Sequence, residues 1–195
     1  MPVIDKPPLV LHICCAPDEA WVVHTLKGRY DLTCFFCNPN IAPEEEYRKR
    51  AREAAGVALR YGVQYKEDDY LPDSWEAAIG EAAASPEGGE RCRRCFMLRL
   101  RRTAAFCREQ SLPAFTTVMS VSPHKSISLL NACGSAVAAE YGLVWEPFDF
   151  KKRDGFRNSI ALSRELGLYR QDYCGCRLSR AERDLRHAAR LLQNP

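Results

Sequence analysis

Short apolar runs typical of β-strands alternate with longer stretches of helical periodicity, and this alternation constrains the fold more than any other feature. The sequence predicts strands at residues 9–13, 32–36, 63–65, 114–118 and 143–145. It predicts helices at residues 43–61, 73–84, 91–109, 125–141, 155–166 and 178–192. Such alternation favours a largely parallel sheet covered by helices on both faces, with ligands at the carboxyl ends of the strands. We therefore predict a single α/β domain over residues 1–195.

Chain length and the N-terminal residues indicate the compartment. A chain of 195 residues buries enough surface to fold without disulfides. No run approaches the ~18 apolar residues of a membrane span, and residues 1–8 have neither the basic region nor the apolar core of a signal peptide. We therefore expect a cytoplasmic protein without a membrane partner, in a compartment where disulfides are rare. The ten cysteines then indicate metal or redox chemistry.

Six of the cysteines form three pairs in distant segments: Cys14 and Cys15, Cys92 and Cys95, and Cys174 and Cys176. The first pair follows a predicted strand, the second begins a helix among arginines, and the third lies before the last helix. Thiolates crowded together without a cation have raised pKa values and stay protonated. A bound metal reverses this and contributes about 10 kcal/mol or more. Three such pairs therefore predict a metal site.

The number of thiols indicates two metal centres. A tetrahedral site or an iron–sulfur cluster uses four thiolates, which leaves two. Because neighbouring side chains point apart, we expect Cys14 and Cys15 to serve different centres. The second ion would then be held by two thiolates, and Asp18 can add an oxygen ligand. The alternative role for Asp18 is to cap the following helix, which is worth about 1 kcal/mol.

The other four cysteines fit structural roles better. Cys107 and Cys133 fall within predicted helices, where they are expected to be buried small apolar residues. Cys34 and Cys37 form a C-x-x-C on a strand and its exit, and alternation predicts that they lie on opposite faces of the sheet. The distance along the chain to the C-x-x-C of the later helix is too long for a zinc ribbon. These cysteines are therefore left out of the site.

Basic residues cluster beside the cysteine pairs, although the net charge is only +3. Arginines are dense over residues 91–102, residues 151–153 are Lys-Lys-Arg, and the last helix carries Arg177, Arg180, Arg183, Arg186 and Arg190. Solvated helix faces explain such clusters, but their position also favours a polyanionic substrate.

Helix signals add two expectations. The last helix carries the apolar stripe of an amphipathic helix at Leu178, Ala181, Leu185, Ala188 and Leu192. Ser122 is predicted to cap the preceding 125–141 segment, with Pro123 in its first helical position.

Over nearly its whole length, the chain resembles the QueH-type epoxyqueuosine reductase family. The resemblance rests on His12-x-Cys14-Cys15-Ala16-Pro17, Asn38-Pro39-Asn40-Ile41-x-Pro43, Glu46-Tyr47-x-x-Arg50, Arg91-Cys92-x-x-Cys95-Phe96-x-x-Arg99-Leu100, Phe115-Thr116-Thr117, Ser122-Pro123-x-Lys125, Asp149-Phe150-Lys151-Lys152 and Leu168-Tyr169-Arg170-Gln171-x-Tyr173-Cys174-Gly175-Cys176. The chain departs from many members at Asp18, where they carry a third cysteine. It also departs at Cys34 and Cys37, where aromatic residues are more usual.

The resemblance implies a reaction, a fold and cofactors. The reaction removes the epoxide oxygen from epoxyqueuosine at the wobble position of tRNA, which is the last step of queuosine synthesis. The fold would belong to the nucleotide-hydrolase-like, Rossmann-related α/β group. The cofactors would be a [4Fe–4S] cluster and a second metal ion, iron, supplied with electrons by a donor that the sequence does not identify. The resemblance leads us to assign the cluster to Cys15, Cys92, Cys95 and Cys174, and the second ion to Cys14, Cys176 and Asp18.

Other residues of these motifs are candidates for substrate contacts. We expect phosphate or ring contacts from Lys125, Lys151, Lys152 and Arg170, and a proton from Tyr169, Tyr173 or Asp149. Three alternatives stay open: an iron–sulfur electron-transfer protein, a zinc-stabilised RNA-binding module, and a thiol oxidoreductase that uses only the C-x-x-C of the 91–109 helix.

Overall fold

The computed structural model describes residues 6–193, in which five parallel strands form one sheet. The strands are β1 (Pro8–Ile13), β2 (Asp31–Phe36), β3 (Gln64–Glu67), β4 (Ala114–Thr117) and β5 (Val144–Trp145). Their order is β3-β2-β1-β4-β5, and every neighbouring pair is parallel. The order reverses between β1 and β4, the switch point beside which doubly wound sheets bind ligands. The predicted strands and the parallel α/β class are confirmed.

The helices surround this sheet. They are α1 (Ala16–Leu26), α2 (Glu44–Tyr61), α3 (Pro72–Ile79), α4 (Glu90–Glu109), α5 (Ile127–Tyr141), α6 (Gly155–Glu165) and α7 (Arg177–Gln193), with 3₁₀ turns at Gly80–Ala84 and Val118–Val121. The expectation that Ser122 caps α5 with Pro123 in its first position is wrong. Ser126 is the N-cap, because its hydroxyl accepts the Leu129 amide at 3.2 Å. The chain from Ser122 to Lys125 is a loop beside the end of the sheet.

Both faces of the sheet are buried. Leu9, Leu11 and Ile13 of β1 pack with residues of α1 and α2 on one face, whereas Val10 packs with residues of α4 and α5 on the other. Alternation along β2 separates Cys34 and Cys37 in the same way, since they belong to the cores on opposite faces. Cys107 and Cys133 are buried in helices. The structural placement predicted for these four cysteines is therefore confirmed.

Helix α7 packs only through its first part. Leu178 packs against the buried cluster of Trp75, Ile79, Cys95 and Cys176. Farther along, Leu185 is 71% exposed and Leu192 is 85% exposed, so the apolar stripe continues past the core.

None of the helices in the 6–193 segment combines the length and the apolar character needed to cross a membrane. The first five residues, part of the segment for which no signal peptide is predicted, lie outside the described residues.

Candidate metal centre

The turn from β1 into α1 gathers three potential ligands. Strand β1 ends at Ile13, Cys14 follows it, and Cys15 occupies the extended N-cap position of α1. Asp18 lies in the first turn of α1, one helical turn after Cys15, which brings both onto one side of the helix start. The sulfur atoms of both cysteines and a carboxylate oxygen of Asp18 all lie within 4.8 Å of one another.

This geometry corrects two expectations. Adjacent side chains point apart along a strand, but the chain changes from strand to helix between Cys14 and Cys15, so their sulfur atoms converge. Asp18 is not the N-cap of α1, because Cys15 holds that position and no side chain caps the helix. The carboxylate of Asp18 therefore stays available to the site.

Negative charge is crowded at this turn. The hydrogen bond with Cys15, assisted by the nearby charge of Arg99, lowers the pKa of Cys14 to about 6 despite its burial. The same hydrogen bond and burial raise the pKa of Cys15 well above its usual value. Burial and the adjacent Cys14 thiolate raise the pKa of Asp18 to about 7. Without a cation these groups compete for one negative charge, and a bound cation allows all of them to ionise.

Helix α4 supplies the second pair of cysteines. The Cys92 sulfur accepts the backbone amide of Gly88 at 3.2 Å, and burial raises the pKa of its thiol. Burial also raises the pKa of Cys95 to about 11. Cys95 shares a buried cluster with Cys176, whose sulfur accepts the Ser179 amide at 3.3 Å. The C-x-x-C of α4 and the later C-x-C therefore meet in the folded chain.

The third pair lies in a loop that α2 holds in place. Arg50 is 1% exposed, and its guanidinium donates to the backbone carbonyls of Cys174 at 3.0 Å and of Tyr173 at 3.4 Å. The amide of Ala42 donates to the carbonyl of Gly175 at 2.9 Å. Gly175 has φ +136°, a conformation that favours glycine. The C-x-C loop is therefore fixed by backbone contacts.

A second layer of contacts fixes Arg50 itself. Its Nε donates to Glu46 at 2.7 Å, one helical turn earlier in α2. The Tyr169 hydroxyl donates to the same carboxylate at 3.1 Å, and the Lys49 ammonium lies 3.3 Å from the centre of the Tyr169 ring. Tyr169 thus belongs to the support of the C-x-C loop, and its hydroxyl proton is engaged there.

A cavity of about 640 Å³ opens beside these cysteines. Cys14, Cys15, Asp18 and Cys174 contribute to its wall, and it is large enough for a nucleoside-sized ligand. Arg99 also lines it and is only 2% exposed, yet its Nε has no hydrogen-bond partner among the residues described. A buried guanidinium with a donor to spare is suited to an anionic group at this position.

The predicted substrate contacts divide into two groups. Lys125 and Arg170 line the cavity, and the Lys125 ammonium donates to the Cys174 sulfur at 2.9 Å. Lys151 donates instead to the backbone carbonyl of Lys125 at 2.7 Å, and Lys152 is exposed outside the cavity wall.

The predicted proton sources also differ in position. Tyr173 lines the cavity, and its hydroxyl donates to the carbonyl of Ala42 at 2.9 Å. Asp149 accepts the amide of Lys151 at 3.2 Å in a neighbouring turn. Neither Asp149 nor Tyr169 is part of the described cavity wall.

Two buried arginines received no individual role from the sequence. Arg50 and Arg99 both fall in the quoted motifs, four residues after Glu46 and Cys95 respectively. That spacing predicts a shared helix face. It does not predict burial, which is uncommon for arginine unless the charge is paired.

Comparison with known proteins gives consistent matches. The sequence profile of the family described as epoxyqueuosine reductase QueH matches residues 9–182. The epoxyqueuosine reductase QueH of Streptococcus pyogenes is 36% identical over 177 residues, covering 88% of this chain and 69% of that protein. The protein of the same name from Thermotoga maritima is 33% identical over 183 residues, covering 92% and 94%.

The fold also resembles solved structures. The U34-tRNA thiolase NcsA from Methanococcus maripaludis with its [4Fe-4S] cluster superposes with a TM-score of 0.51 at 13% identity, covering 88% of this chain and 60% of that one. A predicted subunit of tRNA methyltransferase from Methanocaldococcus jannaschii superposes with a TM-score of 0.50 at 12% identity, covering 82% and 88%. At these identities the likeness shows a shared α/β fold.

Proposed function

This chain belongs to the epoxyqueuosine reductase QueH family, and we propose that it acts on epoxyqueuosine carried by tRNA, in the cavity beside Cys14, Cys15 and Asp18. It is an oxidoreductase that forms queuosine, the last step of queuosine synthesis. The observation that carries the location is the convergence of these three ligand groups on a cavity of about 640 Å³ at the carboxyl end of β1. An α/β sheet binds ligands at that edge.

The proposed cofactors are a [4Fe–4S] cluster and a second iron ion. The cluster is assigned to Cys15, Cys92, Cys95 and Cys174, and the second ion to Cys14, Cys176 and Asp18. Sulfur donors with one carboxylate suit iron, and the proximity of the Cys14 and Cys15 sulfur atoms would make the two centres neighbours. The unpaired Nε of Arg99 and the Lys125 ammonium would balance the charge of the thiolates.

The reaction requires two electrons and two protons. Both carbon–oxygen bonds of the epoxide break, a carbon–carbon double bond forms, and the oxygen leaves as water. When bound, the metal centres supply electrons one at a time and polarise the epoxide oxygen. The electrons come ultimately from an external reductant.

The chain's own residues bind the substrate and supply a proton. Lys125 and Arg170 bring positive charge to the cavity wall for a phosphate or ring oxygen. Tyr173 is the proton source best placed among the candidates, because it lines the cavity. Burial raises the pKa of Tyr173, so it remains protonated until it donates.

Anaerobic reconstitution with iron and sulfide tests this proposal. The loaded protein, given a chemical reductant and tRNA containing epoxyqueuosine, is expected to yield queuosine on nucleoside analysis by mass spectrometry. Cys92→Ser is expected to lose iron and activity, while the matched control Cys133→Ser, altered in the core, keeps both. Unchanged epoxyqueuosine with fully iron-loaded protein would contradict the proposal. Stoichiometric zinc without iron-dependent activity would favour an RNA-binding module.

A further inference from the structure

The outer part of α7 forms a basic rim on the cavity. Every residue from Asp184 to Leu192 is exposed, so this part of the helix is not held by the core. Arg186, His187 and Arg190 nevertheless line the same cavity as Cys14 and Asp18. We call these three residues the α7 rim. It faces the site although its own packing does not require that orientation.

The charges of the rim are not used within the described part of the chain. Arg183, closer to the core, forms ion pairs with Asp172 and Asp184. By contrast, no ion pair of Arg186 or Arg190 occurs among residues 6–193. The two arginines lie one helical turn apart, a rise of about 6 Å, and therefore form a short row leading away from the cavity.

We propose that the α7 rim binds the sugar–phosphate backbone of the tRNA next to the nucleotide that enters the cavity. This inference rests on the proposed function. A cavity of about 640 Å³ has room for a nucleoside, so the flanking nucleotides stay outside and meet the rim. Proteins recognise RNA sequence in loops with splayed bases, and phosphate contacts fix the register of the nucleic acid.

The position of the apolar residues favours RNA over a protein partner at the rim. Leu185 and Leu192 project from a different side of α7, about 100° or more around the helix from Arg186. The surface that faces the cavity is therefore cationic, and exposed arginines without acidic partners attract a polyanion. Arg183 is excluded from this role, because Asp172 and Asp184 already neutralise it.

Charge reversal on the rim tests the proposal by direct binding. The variant Arg186→Glu with Arg190→Glu is compared with Arg186→Lys with Arg190→Lys, which keeps the charge. The matched control is Lys27→Glu with Arg29→Glu. It makes the same change on exposed residues between α1 and β2, at the opposite edge of the sheet. The probe is labelled tRNA containing epoxyqueuosine, titrated between 50 and 200 mM salt, with thermal melting as the check on folding.

The glutamate rim variant is expected to bind tRNA at least about tenfold more weakly, with a higher KM and an unchanged kcat. Its plot of log affinity against log salt is expected to flatten by about 1.4, or about 0.7 for each phosphate contact. The lysine variant and the control are expected to bind as the wild type does. Unchanged affinity in the glutamate variant, or an equal loss in the control, would overturn the proposal.

Two further outcomes separate related claims. If Leu185→Gln with Leu192→Gln weakens tRNA binding and the glutamate rim variant does not, the apolar stripe is the docking surface and the proposal is overturned. If loaded wild type binds tRNA through the rim but leaves epoxyqueuosine unchanged, the proposed function fails while the rim proposal stands.

Discussion

Arg50 donates from Nη1 to the backbone carbonyl of Cys174 at 3.0 Å, across 124 positions of sequence. The guanidinium is buried, and Glu46 of the same helix holds its Nε. An interaction with a backbone carbonyl fixes where the loop runs while leaving the Cys174 sulfur free for Lys125 or a metal. Helix α2 therefore prepares the C-x-C loop before any metal binds, and this arrangement lowers the ordering cost of metal binding.

Replacement of Arg50 tests this preorganisation. Arg50→Gln removes one partner of a buried ion pair and is expected to lower the free energy of unfolding by about 3 kcal/mol. It is also expected to lower the iron bound per chain, because the C-x-C loop loses its contacts with α2. The matched control is Arg48→Gln, two residues earlier, whose exposed pair with Glu44 is worth about 0.5 kcal/mol or less. Chemical denaturation and iron analysis measure both effects; equal behaviour of the two variants would refute the role of Arg50.

Gly175 gives a steric test of the same loop. A Cβ on Gly175 would lie 3.0 Å from the Ile41 Cγ1 and 3.3 Å from the Arg50 Nη1, at φ +136°. Gly175→Ala is expected to cost about 1–3 kcal/mol of stability and to reduce iron retention. Gly56→Ala, on the exposed surface of α2 with no atom within 4 Å of its Cβ, is expected to stabilise the protein by about 0.5–1 kcal/mol. A Gly175→Ala protein as stable and as iron-rich as the wild type would show that the loop is free to move.

Lys125 is expected to tune the reduction potential of the proposed cluster. Its ammonium donates to the Cys174 sulfur at 2.9 Å, and the side chain is 10% exposed. A hydrogen bond to a charged group is worth about 1.5–3 kcal/mol, so Lys125→Gln is expected to lower the potential by about 60–130 mV. Lys152→Gln, on the exposed surface, is the control and is expected to leave the potential unchanged. Redox titration followed by electron paramagnetic resonance measures the shift, and equal potentials would contradict this role.

Thiol labelling distinguishes site cysteines from core cysteines. In metal-free protein, the hydrogen bond with Cys15 lowers the pKa of half-buried Cys14 to about 6, so its thiolate predominates above that pH. Burial raises the pKa of Cys34 and of Cys37, which keeps both as thiols at pH 8. Because the thiolate is the nucleophile, iodoacetamide at pH 8 is expected to modify Cys14 and to spare Cys34 and Cys37 until the protein is denatured.

The labelled sites are identified by peptide mass spectrometry. Labelling of Cys14 is expected to fall as the pH drops through about 6, because the thiolate takes up a proton. Metal loading is expected to protect Cys14. Native labelling of Cys34 and Cys37 at the rate of Cys14 would contradict their placement in the core.

The sequence predicted the fold well where local periodicity decided it. The strands and most helices follow from patterns of a few residues, and the separation of Cys34 from Cys37 follows from strand alternation. The start of α5 was missed because Ser122 and Ser126 offer equivalent capping signals, and only the chain path selects Ser126. The exposed end of α7 was missed because an amphipathic pattern does not reveal whether a partner surface exists.

The sequence identified the chemistry of the site but not its geometry. Pairing of cysteines indicated metal, yet the approach of Cys14 to Cys15 depends on a bend between strand and helix. The buried positions of Arg50 and Arg99 depend on contacts between segments far apart in sequence, such as α2 with the C-x-C loop. No local pattern specifies such contacts.

The central claim is that epoxyqueuosine is reduced at the centre formed by Cys14, Cys15 and Asp18. The most direct test is the formation of queuosine in tRNA by iron-loaded Asp18→Ala. The control is Asp73→Ala, which removes an exposed carboxylate from α3. Asp18→Ala is expected to lose one iron per chain and to be at least about 100-fold slower, whereas Asp73→Ala keeps full iron and full activity. Full activity and full iron content in Asp18→Ala would contradict the account.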